Sequence, residues 1–173
     1  MTRTVHVHLH RRTGDFLSGE LEKRAVYAHM PLGPVSAEAV RLWARSIGVI
    51  YDERSPHVTT AYSLKPVAVA PTYRTRDGAT RDNAYGLVVP PGGRRIDRFG
   101  NQLVLCLDSP ALRERWQAWR KAGATWDYPD YQPHITFADL KHQGGATIDI
   151  SGAPFDEPIT LLPEIVERPR SFY

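Results

Sequence analysis

The chain has 173 residues, 42% of them apolar and 24% charged, with a formal net charge of +3. That length suits one domain or two small lobes around a shared interior, and the mild charge suits a small anionic substrate while excluding a dense basic surface for long nucleic acid. No apolar run is long enough to cross a bilayer, no secretory h-region opens the chain, and the one cysteine, Cys106, forms no disulfide framework, so no membrane partner and a reducing cytoplasm are expected.

Thr4-Val5-His6-Val7-His8-Leu9-His10 alternates strictly, so a strand there places His6, His8 and His10 on one face and three apolar residues on the other. Such a face is a zinc-site pattern, but no acidic or cysteine residue stands within the segment. The segment therefore reads as an amphipathic strand with solvated histidines. Gly14 to Glu22 reads as a connector, and Ala25 to Met30 as a strand that carries Tyr27. A helix follows, with Ser36 as N-cap and Gly48 beyond its end; Val40, Trp43, Ala44 and Ile47 form one buried stripe. Then comes Ser55-Pro56-His57-Val58-Thr59, a strand in which His57 and Thr59 share one face and Val58 faces a core.

Val67 to Ala70 reads as a short strand and Thr72 to Asn83 as a mobile loop. Ala84 to Val89 and Arg94 to Phe99 are strand-like, and Gly100-Asn101 marks a tight hairpin into the strand Gln102 to Leu107, which places Cys106 in a core. The next helix has Ser109 as N-cap and Pro110 at its first position, shows Leu112, Trp116 and Trp119 on one face, and ends at Gly123. It leads to Gln132-Pro133-His134-Ile135-Thr136, where His134 and Thr136 again share a face. Lys141 to Gly145 reads as a loop, and Thr147 to Ile150 and Ile159 to Leu162 as strands.

Strand, helix and His-x-Thr strand thus occur twice. Tyr27 precedes His57 by 30 residues and Leu105 precedes His134 by 29. The repeat predicts two lobes related by a pseudo-twofold axis, with the His-x-Thr faces meeting across a cleft. The expected fold is α+β, with antiparallel sheets, helices outside and a central cleft. The expected organisation is an N-terminal extension over 1–23 and one catalytic domain over 24–173. Its lobes span about 24–70, completed by the C-terminal strands, and about 84–140.

These features resemble the two-histidine (2H) phosphoesterase superfamily, over a span from about Tyr27 to Glu167. The stretch from Trp43 through Pro56-His57-Val58-Thr59-Thr60-Ala61-Tyr62-Ser63 is similar, within it, to the phage anti-CBASS phosphodiesterases. So are Trp126 to Thr136 and the tail Ile159-Thr160-Leu161-Leu162-Pro163-Glu164-Ile165. Those enzymes cleave the cyclic nucleotide messengers of a bacterial defence system. The resemblance implies a cyclic oligonucleotide substrate, an aromatic on the first lobe strand and a Glu near the C-terminal strand that hold a nucleobase; Tyr27 and Glu164 occupy those positions, with Glu167 as a competitor to Glu164.

Two imidazoles facing one cleft supply a general base and a general acid near neutral pH. One removes a proton from a ribose 2′-OH or water; the other protonates the leaving 5′-oxygen. Thr59 and Thr136 donate to the non-bridging phosphate oxygens, where charge develops. The set needs no metal or other cofactor. Asp52, Glu53, Asp127 and Asp130 near the motifs are read as solvent-facing, Arg94, Arg95 and Arg98 as a solvated basic cluster, and Trp126 and Tyr131 as core aromatics. Two other functions fit the same residues: an RNA-end enzyme acting on 2′,3′-cyclic phosphates or 2′–5′ linkages, and a non-catalytic nucleotide-binding or virion-associated module. Intact His and Thr at all four positions count against the latter.

Overall fold

The computed structural model describes residues 24–54, 56–67, 73–74, 80–81, 86–144, 148 and 150–169. In chain order the elements are β1 (Arg24–Pro31), α1 (Pro34–Ser46), β2 (His57–Val67), β3 (Tyr73–Arg74), β4 (Thr80–Arg81), β5 (Leu87–Val89), β6 (Arg95–Phe99), β7 (Gln102–Cys106), α2 (Pro110–Lys121), β8 (His134–Asp139), β9 (Ile159–Leu161) and β10 (Ile165–Glu167). A 3₁₀ turn, Leu140–His142, follows β8. The expected strand with His6, His8 and His10 lies outside the described residues, as does most of the expected loop Thr72–Asn83.

Two three-stranded antiparallel sheets, β10-β1-β2 and β6-β7-β8, carry the two His-x-Thr strands, and β5 pairs with β9. The sheets correspond position by position. Pro31, Met30 and His29 face His57, Val58 and Thr59; the partner strand then moves one residue to Ala28 while β2 moves two, to Ala61. In the other sheet Cys106, Leu105 and Val104 face His134, Ile135 and Thr136, and Leu103 then faces Ala138. Thr60 and Phe137 are therefore equivalent extra residues, one β-bulge directly after each Thr. Each bulge puts two adjacent residues into the interior: Thr60 with Ala61, and Phe137 with Ala138. This register corrects the repeat alignment, since the counterpart of Tyr27 is Gln102, whereas Leu105 matches Met30. The similar spacings mislead because Pro31 stands 26 residues before His57 and Cys106 stands 28 before His134.

Gly100, at φ 61°, makes the two-residue hairpin between Phe99 and Gln102. The first sheet gains its third strand from the far end of the chain: β10 places Glu167 opposite Tyr27 and Ile165 opposite His29. Sequence periodicity misses β10 because it is only three residues long. Ile148 and Ile150, the described residues of the expected strand Thr147–Ile150, are not in a strand.

Ser109 caps α2 by accepting the Leu112 N–H at 3.3 Å, with Pro110 in the first turn. α1 differs from expectation. It begins at Pro34 with Gly33 as N-cap, and Ser36 is buried within it, accepting the Thr160 N–H at 2.9 Å. Pro34 explains the earlier start, because its fixed φ suits the first turn. Each helix packs against the other half's motif strand: α1 on β8 and β9, α2 on β2. Trp43 of α1 lies 5.0 Å from Phe137, centroid to centroid. The main core joins Val40, Ala44, Val58, Leu103, Leu105, Leu112, Ile135, Phe137, Ile159 and Leu161; a smaller one gathers Val26, Ala28, Ala61, Val67, Trp119 and Ala124.

The basic cluster divides three ways. Arg98 closes the hairpin by donating to the Gly100 carbonyl at 2.8 Å, and Arg95 donates to Gln132 Oε1 at 3.3 Å. Arg94 is buried, against expectation. Its guanidinium donates to the carbonyls of Phe155, Glu157, Val89 and Pro90, tying the loop before β9 to the end of β5.

Candidate active site

In the first half, Pro56 leads into β2 and the pleat turns His57 and Thr59 to the same face, with Val58 fully buried behind them. Tyr27 reaches across from β1. Its Oη lies 2.5 Å from His57 Nε2 and 3.4 Å from Thr59 Oγ1. His29, two residues on and on the same face, stacks on Tyr27 at 4.9 Å and 28°, and meets His57 edge-on at 5.0 Å. His29 Nδ1 is buried and has no hydrogen-bond partner among the described residues. Burial first, and the nearby His57 second, hold His29 below the ordinary imidazole range.

In the second half, His134 Nδ1 stands 2.8 Å from the Gln132 carbonyl, which accepts and so requires the proton on Nδ1. In the neutral ring Nε2 is then the nitrogen without a proton. Phe99 meets the imidazole edge-on at 4.8 Å. Burial is the main cause that pushes His134 below its ordinary range; His57 pushes the same way, and the Gln132 carbonyl opposes it. Thr136 donates to Gln102 Oε1 at 3.4 Å, so Gln102 stands to Thr136 as Tyr27 stands to Thr59. The halves interlock where the Tyr131 hydroxyl donates to the Thr59 carbonyl at 2.9 Å and the Asp52 N–H to the Phe137 carbonyl at 2.8 Å. Tyr131 is buried and stacked on Trp116 at 5.3 Å, a core aromatic as expected.

Glu164 is placed differently from Tyr27. Its side chain is 3% exposed, as is that of Arg115, with which it forms an ion pair. Arg115 Nε donates to both carboxylate oxygens at 3.1 and 3.0 Å, Trp119 Nε1 donates to Oε1 at 3.1 Å, and the Thr60 hydroxyl also donates to Oε1. This buried network between α2 and β2 holds the first bulge. The sequence marks Trp119 as core but gives no sign of Arg115, a charge on a buried helix face. Glu167 is instead the acid directly across from Tyr27. Of the loop acids, Asp52 pairs with Arg54 at 3.0 Å or less, while Glu53, Asp127 and Asp130 are exposed. Among the described residues, no group of three or more His, Cys, Asp or Glu is arranged to hold a metal ion, and no helix is long and apolar enough to cross a membrane.

The lowered values of His29 and His134 carry a stability consequence. As pH falls the unfolded chain takes up protons first, so the contribution of each group is complete above about 6.5 and lost below it. The urea midpoint is expected to fall between about pH 7 and about pH 5, with a shallower slope in His134→Ala. A midpoint indifferent to pH over that range, in both proteins, would contradict it.

The family model described as "Anti-CBASS protein Acb1" matches residues 24–169. A Caulobacter protein of that description is 32% identical over 135 residues, 73% of this chain and 20% of the relative. One from Sphingomonas paeninsulae is 32% identical over 155 residues, 85% of this chain and 23% of the relative. The chain thus spans about a fifth of the length of these relatives. The crystal structure of Escherichia coli LigT complexed with 3′-AMP superposes with a TM-score of 0.53 at 15% identity, covering 84% of this chain and 87% of that one. The likeness shows the 2H phosphoesterase fold, antiparallel sheets with two helices.

Proposed function

The chain belongs to the anti-CBASS protein Acb1 family, and on that premise we propose that it is a metal-independent phosphodiesterase opening cyclic di- or trinucleotide messengers of the CBASS defence. The observation that carries this is the duplicated strand: His-x-Thr followed by a bulge, twice, on matched sheets. A reaction needing a proton taken and a proton given at one phosphate accounts for both copies. The two sheets act as halves of one catalytic domain. His57 and His134 transfer the protons, and Thr59 and Thr136 donate to the non-bridging oxygens. Tyr27 and Glu167, opposite each other on β1 and β10, line the nucleobase side. Glu164 serves the framework beneath them, its oxygens being engaged by Arg115, Trp119 and Thr60.

Attack by the ribose 2′-OH yields a 2′,3′-cyclic phosphate and a free 5′-OH. The test incubates the purified chain, in EDTA, with cyclic di- and trinucleotides, their 2′-deoxy analogues at the scissile residue, and RNA bearing a 2′,3′-cyclic phosphate. Cyclic nucleotides are expected to open with cyclic-phosphate products by mass spectrometry, and the 2′-deoxy analogues to resist. Turnover of the RNA ends alone would favour the RNA-end enzyme; activity that returns only on adding metal would overturn the metal-independent mechanism.

A further inference from the structure

The two halves match in register but not in the groups beside each histidine. At the positions where the first half has Tyr27 and His29, the second has Gln102 and Val104. Of the two histidines, only His57 has, among the described residues, a hydroxyl-bearing partner at its ring, 2.5 Å from Nε2. His29 fixes that partner by stacking on the Tyr27 ring, and it abuts His57 as well. If the ring of Tyr27 served only as a stacking surface, nothing would require its hydroxyl at a catalytic nitrogen. On the other side, the Nδ1 proton of His134 is committed to the Gln132 carbonyl, and Nε2 of the neutral ring is an unprotonated acceptor. Burial favours that neutral form.

Resting on the phosphodiesterase reading above, we infer that Tyr27 is a catalytic residue: its phenol passes the proton from His57 to the leaving 5′-oxygen, making His57 the acid side and His134 the base. His134 Nε2 takes the 2′-OH proton as the 2′-oxygen bonds to phosphorus. The bond from phosphorus to the 5′-oxygen breaks as Tyr27 Oη gives that oxygen its proton and receives one from His57 Nε2. The step ends with His134 protonated, His57 neutral and Tyr27 again a phenol. No charge accumulates on the phenol. A bare phenol, with an ordinary pKa of about 10, is a proton donor rather than a base near neutral pH.

The test compares wild type with Tyr27→Phe, His57→Ala and His134→Ala. Two substrates are used, a cyclic dinucleotide and its analogue with sulfur in place of the scissile 5′-oxygen. A thiolate leaves without being protonated, so the analogue needs no acid. On the oxygen substrate Tyr27→Phe is expected to lose about 10²-fold in kcat with KM unchanged. On the sulfur substrate Tyr27→Phe and His57→Ala return to near the wild-type rate, and His134→Ala does not. Three results overturn the inference alone, given a wild type that cleaves both substrates: full kcat in Tyr27→Phe, an equal defect on both substrates, or rescue of His134→Ala instead of His57→Ala. A wild type that cleaves neither substrate overturns the proposed activity as well.

Discussion

Replacing His57 or His134 with alanine is expected to lower kcat by about 10²–10⁴-fold while the protein still folds and binds its substrate. Each ring is half-buried at the start of its strand, with the core contacts made by the next residue, Val58 or Ile135, both fully buried. Truncation therefore removes a proposed proton-transfer group without emptying the interior. The double variant is expected to lose much less than the product of the two single losses, because the residues act as one unit. Single-turnover rates, with thermal melts to confirm folding, decide the point. A single variant that keeps near wild-type turnover would end the paired acid–base mechanism.

The second large effect is structural. Removing Arg115 while Glu164 remains is expected to destabilise the protein by about 3–5 kcal/mol, because it strands a carboxylate in the interior. Both side chains are 3% exposed, so solvent screening does little to reduce the cost. The double variant Arg115→Met with Glu164→Leu is expected to be more stable than Arg115→Met alone, since no buried charge is left over, although Thr60 and Trp119 each lose an acceptor. Urea unfolding of the single and double variants tests this. A loss below about 1 kcal/mol for Arg115→Met would mean that the pair is a weak, surface-like contact.

What the sequence makes legible is whatever repeats or punctuates. The period-2 pattern places His57 with Thr59 and His134 with Thr136, and the order of elements makes them a duplicated pair. Ser109-Pro110 announces α2 through its own capping chemistry. The bulges after Thr59 and Thr136 are invisible, because an inserted residue in a strand shows only against its partner's register. The same blindness misaligns Tyr27 with Leu105. Ser36 misleads because Pro34 starts α1 earlier and frees the serine to bond Thr160, 124 residues away. Arg94 reads as surface charge and Arg115 gives no signal, since their partners are distant carbonyls in one case and Glu164 in the other. His29 passes unnoticed within a strand whose obvious aromatic is Tyr27.

The use of β10 as the third strand of the first sheet has a consequence for synthesis. On the ribosome, β1, β2 and α2 all emerge before residues 159–167, which supply the paired edge of β1 and the counter-ion of Arg115. Until then the nascent chain holds an open strand edge, and the carboxylate that pairs with Arg115 has still to arrive; neither favours a settled structure. The second sheet, β6-β7-β8, has no such dependence, because its strands are neighbours in sequence and close early. The first sheet is thus the later of the two to have all its strands synthesised. On the proposed mechanism, acid–base chemistry, which needs both halves in register, waits for β10.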